Sequence, residues 1–307
     1  MNGKETPCGL LPMYKPSGIT SHDAVNIIRR SFGIKRVGHT GTLDPMACGV
    51  LPILIGSAVK AAELIVSEDK RYIAEMKFGY ETDTLDITGK IILPLSDGRI
   101  PREDEAVRAA EAFKGSYMQT PPAYSAIKHN GKKLYELARS GIIIETEPRR
   151  VEIFSISAVM TEPDTCRIDV SCSKGTYIRS LVRDIARSIG TYATMSALER
   201  VSVGKYTKDI CFTPDDITSA SAEDRSRMLI PIDKILCDLK RAQLSEFYTR
   251  LAKNGAEIYL KRAGLGEILK TGEYCLMTDH NGELFGVGMV SEYPDGTAVK
   301  AVKRFDT

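Results

Sequence analysis

From position 71 to 78 apolar and polar side chains alternate: Tyr72, Ala74, Met76 and Phe78 share one face, Ile73, Glu75 and Lys77 the other. A period of two predicts a half-buried strand. Positions 149–160, 166–173 and 198–206 read as further strands. The unbroken apolar run Val50-Leu51-Pro52-Ile53-Leu54-Ile55 reads as a buried one. Elsewhere the spacing is helical. Val25, Ile28 and Phe32 predict a helix over about 22–32, with Ser21 as N-cap and Gly33 as its stop. A second spans 101–114 with Val107, Ala110 and Phe113 inward, closed by Gly115. A third carries Ile178, Leu181, Ile185 and Ile189 and ends at Gly190. Ser57 reads as the cap of a short helix through 60–65, and Thr213-Pro214-Asp215-Asp216 opens another. Beyond about Tyr248 short runs are punctuated by Asn254-Gly255, Gly264, Gly272, Asn281-Gly282 and Asp295-Gly296. That texture predicts a small, separate all-β unit with strands at 274–277, 283–290 and 298–303.

Composition narrows the class. The chain has 307 residues, 43% hydrophobic and 27% charged, as in ordinary globular proteins. A net charge of +2 means that any polyanion must be met by a local basic patch. One such patch exists: positions 128–150 carry six Lys or Arg against three Glu, around an Asn130-Gly131 turn signal. It reads either as a solvated surface or as a phosphate-contacting arm. The seven cysteines are scattered, with no C-x-x-C pair, which argues against a zinc site and a disulfide scaffold. No apolar run reaches the length of a membrane span, and the start lacks a signal-peptide pattern, so a cytoplasmic protein is expected.

One stretch fits no regular element: Arg36-Val37-Gly38-His39-Thr40-Gly41-Thr42-Leu43-Asp44-Pro45-Met46-Ala47-Cys48-Gly49. Pro45 pushes Asp44 away from the helical region, so a carboxylate is presented from a stiff loop before a buried strand. Taken singly, Asp44 reads as a turn residue, Tyr72 as a core aromatic and Lys15 as a solvated charge. Arg179 is less easily explained. It sits in the first turn of a helix, where a cation opposes the helix dipole, so it needs another reason to be there, such as a buried carboxylate partner.

Five separated motifs change these readings. Lys15-Pro16-Ser17-Gly18-Ile19-Thr20-Ser21, the 36–49 loop, Arg71-Tyr72, Thr120-Pro121-Pro122-Ala123-Tyr124-Ser125-Ala126-Ile127-Lys128 and Cys172-Ser173-Lys174-Gly175-Thr176-Tyr177-Ile178-Arg179 occur in this order. Together they resemble the TruB family of pseudouridine synthases. The resemblance implies an α+β fold: a catalytic domain at 1–242, built on a central mixed, mainly antiparallel sheet flanked by helices. It implies a basic RNA-binding insert at about 124–152 and a small β-rich PUA domain at 243–307. The implied activity is isomerisation of the tRNA T-loop uridine, numbered 55, to pseudouridine. Asp44 falls on the family's catalytic aspartate, Tyr72 on the tyrosine that stacks on the target base, and Arg179 on the aspartate's arginine partner. His39 falls on the histidine that fills the gap left by the flipped nucleotides. Lys15, Tyr177 and Leu198 fall on pocket positions, and Lys128, Lys132 and Lys133 would grip the T-arm.

The chemistry suits these residue types. Breaking the glycosidic bond builds positive charge on the ribose, which an ionised carboxylate can stabilise or trap. Arg179 is expected to keep Asp44 ionised by outweighing its burial. No atom is gained or lost, so neither cofactor nor metal is expected. A monomer with no obligatory protein partner or guide RNA is expected too. The rival readings are a guide-RNA-dependent, dyskerin-like synthase and a non-catalytic tRNA-binding or folding chaperone on the same scaffold.

Overall fold

The computed structural model describes residues 7–65, 69–94, 99–125, 127–129, 131–144 and 146–305. The larger sheet contains β1 (Gly9–Lys15), β2 (Val37–His39), β3 (Cys48–Ile55), β4 (Lys70–Phe78), β5 (Gly115–Gln119), β6 (Arg149–Glu162), β7 (Thr165–Cys172) and β8 (Ala193–Val203). Its order is β1-β3-β8-β4-β7-β6-β5, with β2 also on β3. All these pairs are antiparallel except β3 with β8. Contact between those two is brief: Glu199 faces Cys48 and Arg200 faces Gly49. The far end of β3 pairs instead with β2, from Val37 on Ile55 to His39 on Ile53. The 40–47 connection therefore runs from beside Ile53, where β2 ends, to the start of β3, where β8 meets it.

On β4, Tyr72, Ala74, Met76 and Phe78 are all buried, as the alternation predicts. Helices α1 (Ser21–Phe32), α2 (Glu103–Glu111) and α3 (Ile178–Ser188) complete this core. Three local expectations are corrected. The cap of α1 is Thr20, which forms a reciprocal capping box with Asp23. Ser21 lies one residue inside, and its hydroxyl is used elsewhere. The inward face of α2 is Ala106, Ala109 and Ala110 rather than a stripe led by Val107; small residues let the helix lie close to the sheet. The segment after β3 starts as a 3-10 helix, Gly56–Ala61, without a side-chain cap, and Ser57 contacts Cys8 instead.

The smaller sheet contains β9 (Lys240–Gln243), β10 (Ile258–Tyr259), β11 (Tyr274–Thr278), β12 (Leu284–Tyr293) and β13 (Gly296–Arg304), ordered β9-β11-β12-β13-β10. It is not all-β, because helix α4 (Glu246–Lys253), capped by Ser245, packs into it. It also starts at Lys240, so a division after residue 242 falls inside its first strand. The two sheets share a core: Leu10, Val50 and Leu54 of the larger pack in one cluster with Leu276, Val287 and Phe305. Burying a side chain of this size is worth about 1.5–3 kcal/mol, so this shared cluster favours the packed arrangement of the two sheets. Among the described residues no helix is long and apolar enough to cross a membrane.

Candidate active site

The loop that presents Asp44 is braced by the Lys15–Ser21 segment. Ser21 Oγ accepts from Leu43 N–H at 2.9 Å and donates to Leu43 C=O at 3.0 Å. Gly18 N–H donates to Pro45 C=O at 2.8 Å, and Ser17 Oγ to Met46 C=O at 2.8 Å. Lys15 is fully buried, and its Nζ donates to the carbonyls of Pro16 (2.9 Å), Ile19 (2.8 Å) and Pro45 (3.4 Å). Burial lowers its pKa to about 8, against the pull of Cys48 and Asp44. Lys15 thus ties the loop to its brace with an ammonium that is still charged at neutral pH. Four of the seven residues in one motif hold the backbone of another.

Asp44 meets Arg179 directly. Arg179 Nε lies 2.9 Å from Asp44 Oδ2, and Nη2 donates to Oδ1 at 3.3 Å. Arg179 also donates to the backbone carbonyls of Thr84 (2.8 Å) and Tyr124 (2.9 Å), and its Nη1 lies 3.8 Å from Asp86 Oδ2. The first-turn arginine therefore has the carboxylate partner its position called for, and a second besides. The pair is lopsided: the Arg179 side chain is 6% exposed and that of Asp44 31%. Arg179 meets both carboxylate oxygens, yet part of the Asp44 side chain stays accessible. Its pKa corrects the earlier expectation. Burial raises it above the usual carboxylate range, and Arg179 only partly offsets this, while the nearby Asp86 adds to the rise.

Tyr72, on β4 and 7% exposed, has its pKa raised by burial against the opposing charge of Arg200. Leu198, 8% exposed, faces Ala74 across the β8–β4 pairing. Tyr177 immediately precedes α3. Its backbone is gripped at both ends by fully buried Gln119, whose Oε1 accepts from Tyr177 N–H at 2.8 Å and whose Nε2 donates to Tyr177 C=O at 3.1 Å. The Arg149 guanidinium lies 4.8 Å above its ring. His39 ends β2, half-buried, five residues before Asp44. Lys132 is exposed on a short hairpin, Lys128–His129 with Lys132–Lys133, that leads into the helix Leu134–Arg139. The side chains of Lys128 and Lys133, and all of Asn130, lie outside the described residues.

Three residues of this site escape a reading by sequence: Asp86, Gln119 and Arg200. Asp86 is 5% exposed and accepts from Thr84 Oγ1 at 2.9 Å and Thr88 N–H at 3.0 Å. Its only written signal is the Thr- and Asp-rich composition of an ordinary loop.

Known proteins resemble this chain. The family model described as TruB family pseudouridylate synthase, N-terminal domain, matches residues 29–178. That for the tRNA pseudouridylate synthase B C-terminal domain matches residues 179–237. The chain is 42% identical over 254 residues to tRNA pseudouridine synthase B of Clostridium tetani, covering 83% of this chain and 86% of that one. It is 39% identical over 285 residues to the Clostridium perfringens protein of the same name, covering 92% and 95%. Among solved structures, a Cbf5-Nop10-Gar1 complex matches with a TM-score of 0.70 at 22% identity, over 98% of this chain and 86% of that chain. An H/ACA RNP bound to a substrate RNA containing 2'-deoxyuridine matches with a TM-score of 0.69 at 20% identity, over the same shares of 98% and 86%. At those identities the likeness establishes the α+β fold with its curled C-terminal sheet. The sequence relatives go further: the chain belongs to the TruB family of pseudouridylate synthases and is an isomerase of that class.

Proposed function

We propose that the chain is a stand-alone synthase, a cytoplasmic monomer, that converts the T-loop uridine numbered 55 of tRNA to pseudouridine without a guide RNA. The larger sheet and its helices are the catalytic unit. The smaller sheet, from Lys240 onward, is a PUA-like RNA-binding unit. The observation that carries the reading is the pairing of buried Arg179 with an Asp44 carboxylate whose side chain is still 31% exposed.

The target uridine must leave its stack to reach that carboxylate, at a cost of a few kcal/mol. His39, at the mouth of the loop, fills the vacated space. The base lies on the Tyr72 ring, where stacking is worth roughly 1–3 kcal/mol and keeps it from diffusing away once detached. The C1′–N1 bond breaks as Asp44 stabilises the charge that develops on the sugar. The base turns on its clamp, C1′ joins C5, the C5 proton departs, and N1 gains one. Arg179 offsets part of the burial that disfavours the Asp44 anion. Lys15 serves through the loop backbone rather than by touching RNA. Tyr177 and Leu198 wall the pocket, and the arm around Lys128, Lys132 and Lys133 meets T-arm phosphates.

The test uses an unmodified tRNA transcript labelled with tritium at uridine C5. The protein alone should release one tritium per tRNA, and none from a transcript with cytidine at position 55. Release that needs added guide RNA, or that persists in the cytidine transcript, would contradict the reading.

A further inference from the structure

The largest fully buried side chain in the molecule belongs to Arg200, 1% exposed on β8. A buried cation is expensive unless it is paired or closely hydrogen-bonded. The partners of this one are neutral. Its Nε donates to Val50 C=O at 2.7 Å and its Nη2 to Gly41 C=O at 3.1 Å. Across the sheet Arg200 faces Tyr72 of β4 on one side and Gly49 of β3 on the other. The charge of the guanidinium also acts on the Tyr72 hydroxyl, against the burial that raises its pKa. Its place depends on Gly49, which sits at φ +113; a Cβ there would lie 2.2 Å from Arg200 C=O. Only glycine lets β3 come this close to β8.

We infer that Arg200 is a positioning residue of the isomerisation: standing opposite Tyr72 across the β8–β4 pairing and bonded to the Gly41 carbonyl, it fixes the clamping ring relative to the loop that carries Asp44. The inference rests on the assignment of Tyr72 and Asp44 proposed above. The reaction supplies the need. A detached base must turn over and present C5 where N1 had been, so the distance between clamp and carboxylate must not drift. Misplacement by about 1 Å costs on the order of 10²-fold in rate. The planar fork of a guanidinium can hold the Val50 and Gly41 carbonyls in fixed directions, which an ammonium on a flexible stem cannot.

The experiment compares the wild type, Arg200→Lys and Arg200→Gln, each with Tyr72 or with Tyr72→Phe. Single-turnover tritium release, tRNA dissociation constants and melting temperatures are measured for all. Arg200→Lys keeps the charge and should fold, bind tRNA within about threefold of wild type, and release tritium at least about 30-fold more slowly. In the Tyr72→Phe background the Arg200 substitutions should cost less than about threefold, because the guanidinium then has no hydroxyl to act on. A wild-type rate for Arg200→Lys would overturn the inference. So would rate and affinity falling together, or a full multiplicative loss in the Tyr72→Phe background. Should Tyr72→Phe be too slow to measure, the Arg200→Lys rate and affinity decide. Failure of the isomerase reading itself looks different: the wild type would release no tritium.

Discussion

Two buried arginines lie on either side of the Asp44 loop and are bound in opposite ways. Arg179, at the start of α3, is set against two carboxylates, Asp44 at 2.9 Å and Asp86 at 3.8 Å. Arg200, in the middle of the sheet, bonds to the carbonyls of Val50 and Gly41. The first sets charge, by holding an anion in a place where burial opposes it. The second sets shape, by tying strands and loop together through groups that do not titrate. Electrostatic and geometric control of one carboxylate are thus assigned to different residues, and can be broken separately.

Breaking the charge side should cost most. Arg179→Gln leaves two carboxylates facing each other without a cation. Single-turnover tritium release should fall by about 10²–10³-fold, the scale for a lost charge-stabilising group. Denaturant melts should show a loss of about 2–4 kcal/mol; breaking a fully buried pair costs about 3–5, and the partial exposure of Asp44 reduces that. The pH–rate profile of the wild type should follow from the raised pKa of Asp44. The anion is the active form, so the rate falls as pH drops through that raised value. Removing Arg179 takes away a counter-charge, raises the pKa further and moves this acid limb to higher pH. An acid limb that stays in place would mean that Arg179 does not set the charge.

Breaking the shape at a distance should cost less. Gln119→Ala removes both hydrogen bonds that fix the Tyr177 backbone ahead of Arg179. A loss of about 1–3 kcal/mol in stability is expected, with the acid limb unmoved, since no charge changes. The smallest effect on chemistry is expected at the arm. Lys132→Ala with Lys133→Ala should leave the rate at saturating tRNA unchanged. The slope of log affinity against log salt should fall by about 1.5, from two lost phosphate contacts.

Much of this site is legible in the sequence because its parts are local. The loop around Asp44 announces itself by glycines and a proline, and Arg179 by a charge at the wrong end of a helix. The β4 alternation gives the face of Tyr72 directly. What stays hidden depends on long-range pairing. Arg200 matters because β8 lies between β3 and β4, an order that no local pattern encodes. Gln119 reads as the polar end of a strand until it is seen filling the backbone of a residue 58 positions away. Asp86 reads as loop composition. Lys15 was legible as a site residue but not for its task, because a buried ammonium that serves carbonyls looks like a surface charge in one dimension. The missed helix α4 has a plainer cause: eight residues with a Ser245 cap are short enough to be lost among turn signals.

The central claim is that the carboxylate of Asp44, rather than the surrounding scaffold, performs the isomerisation. Asp44→Asn tests it most directly, since it keeps the shape of the side chain and removes the charge. With C5-tritiated tRNA in single turnover, the variant should bind tRNA within about threefold of wild type. Its tritium release should be slower by about 10⁴-fold or more, as when a reacting group is removed. Release within about tenfold of the wild-type rate, with binding intact, would contradict the account.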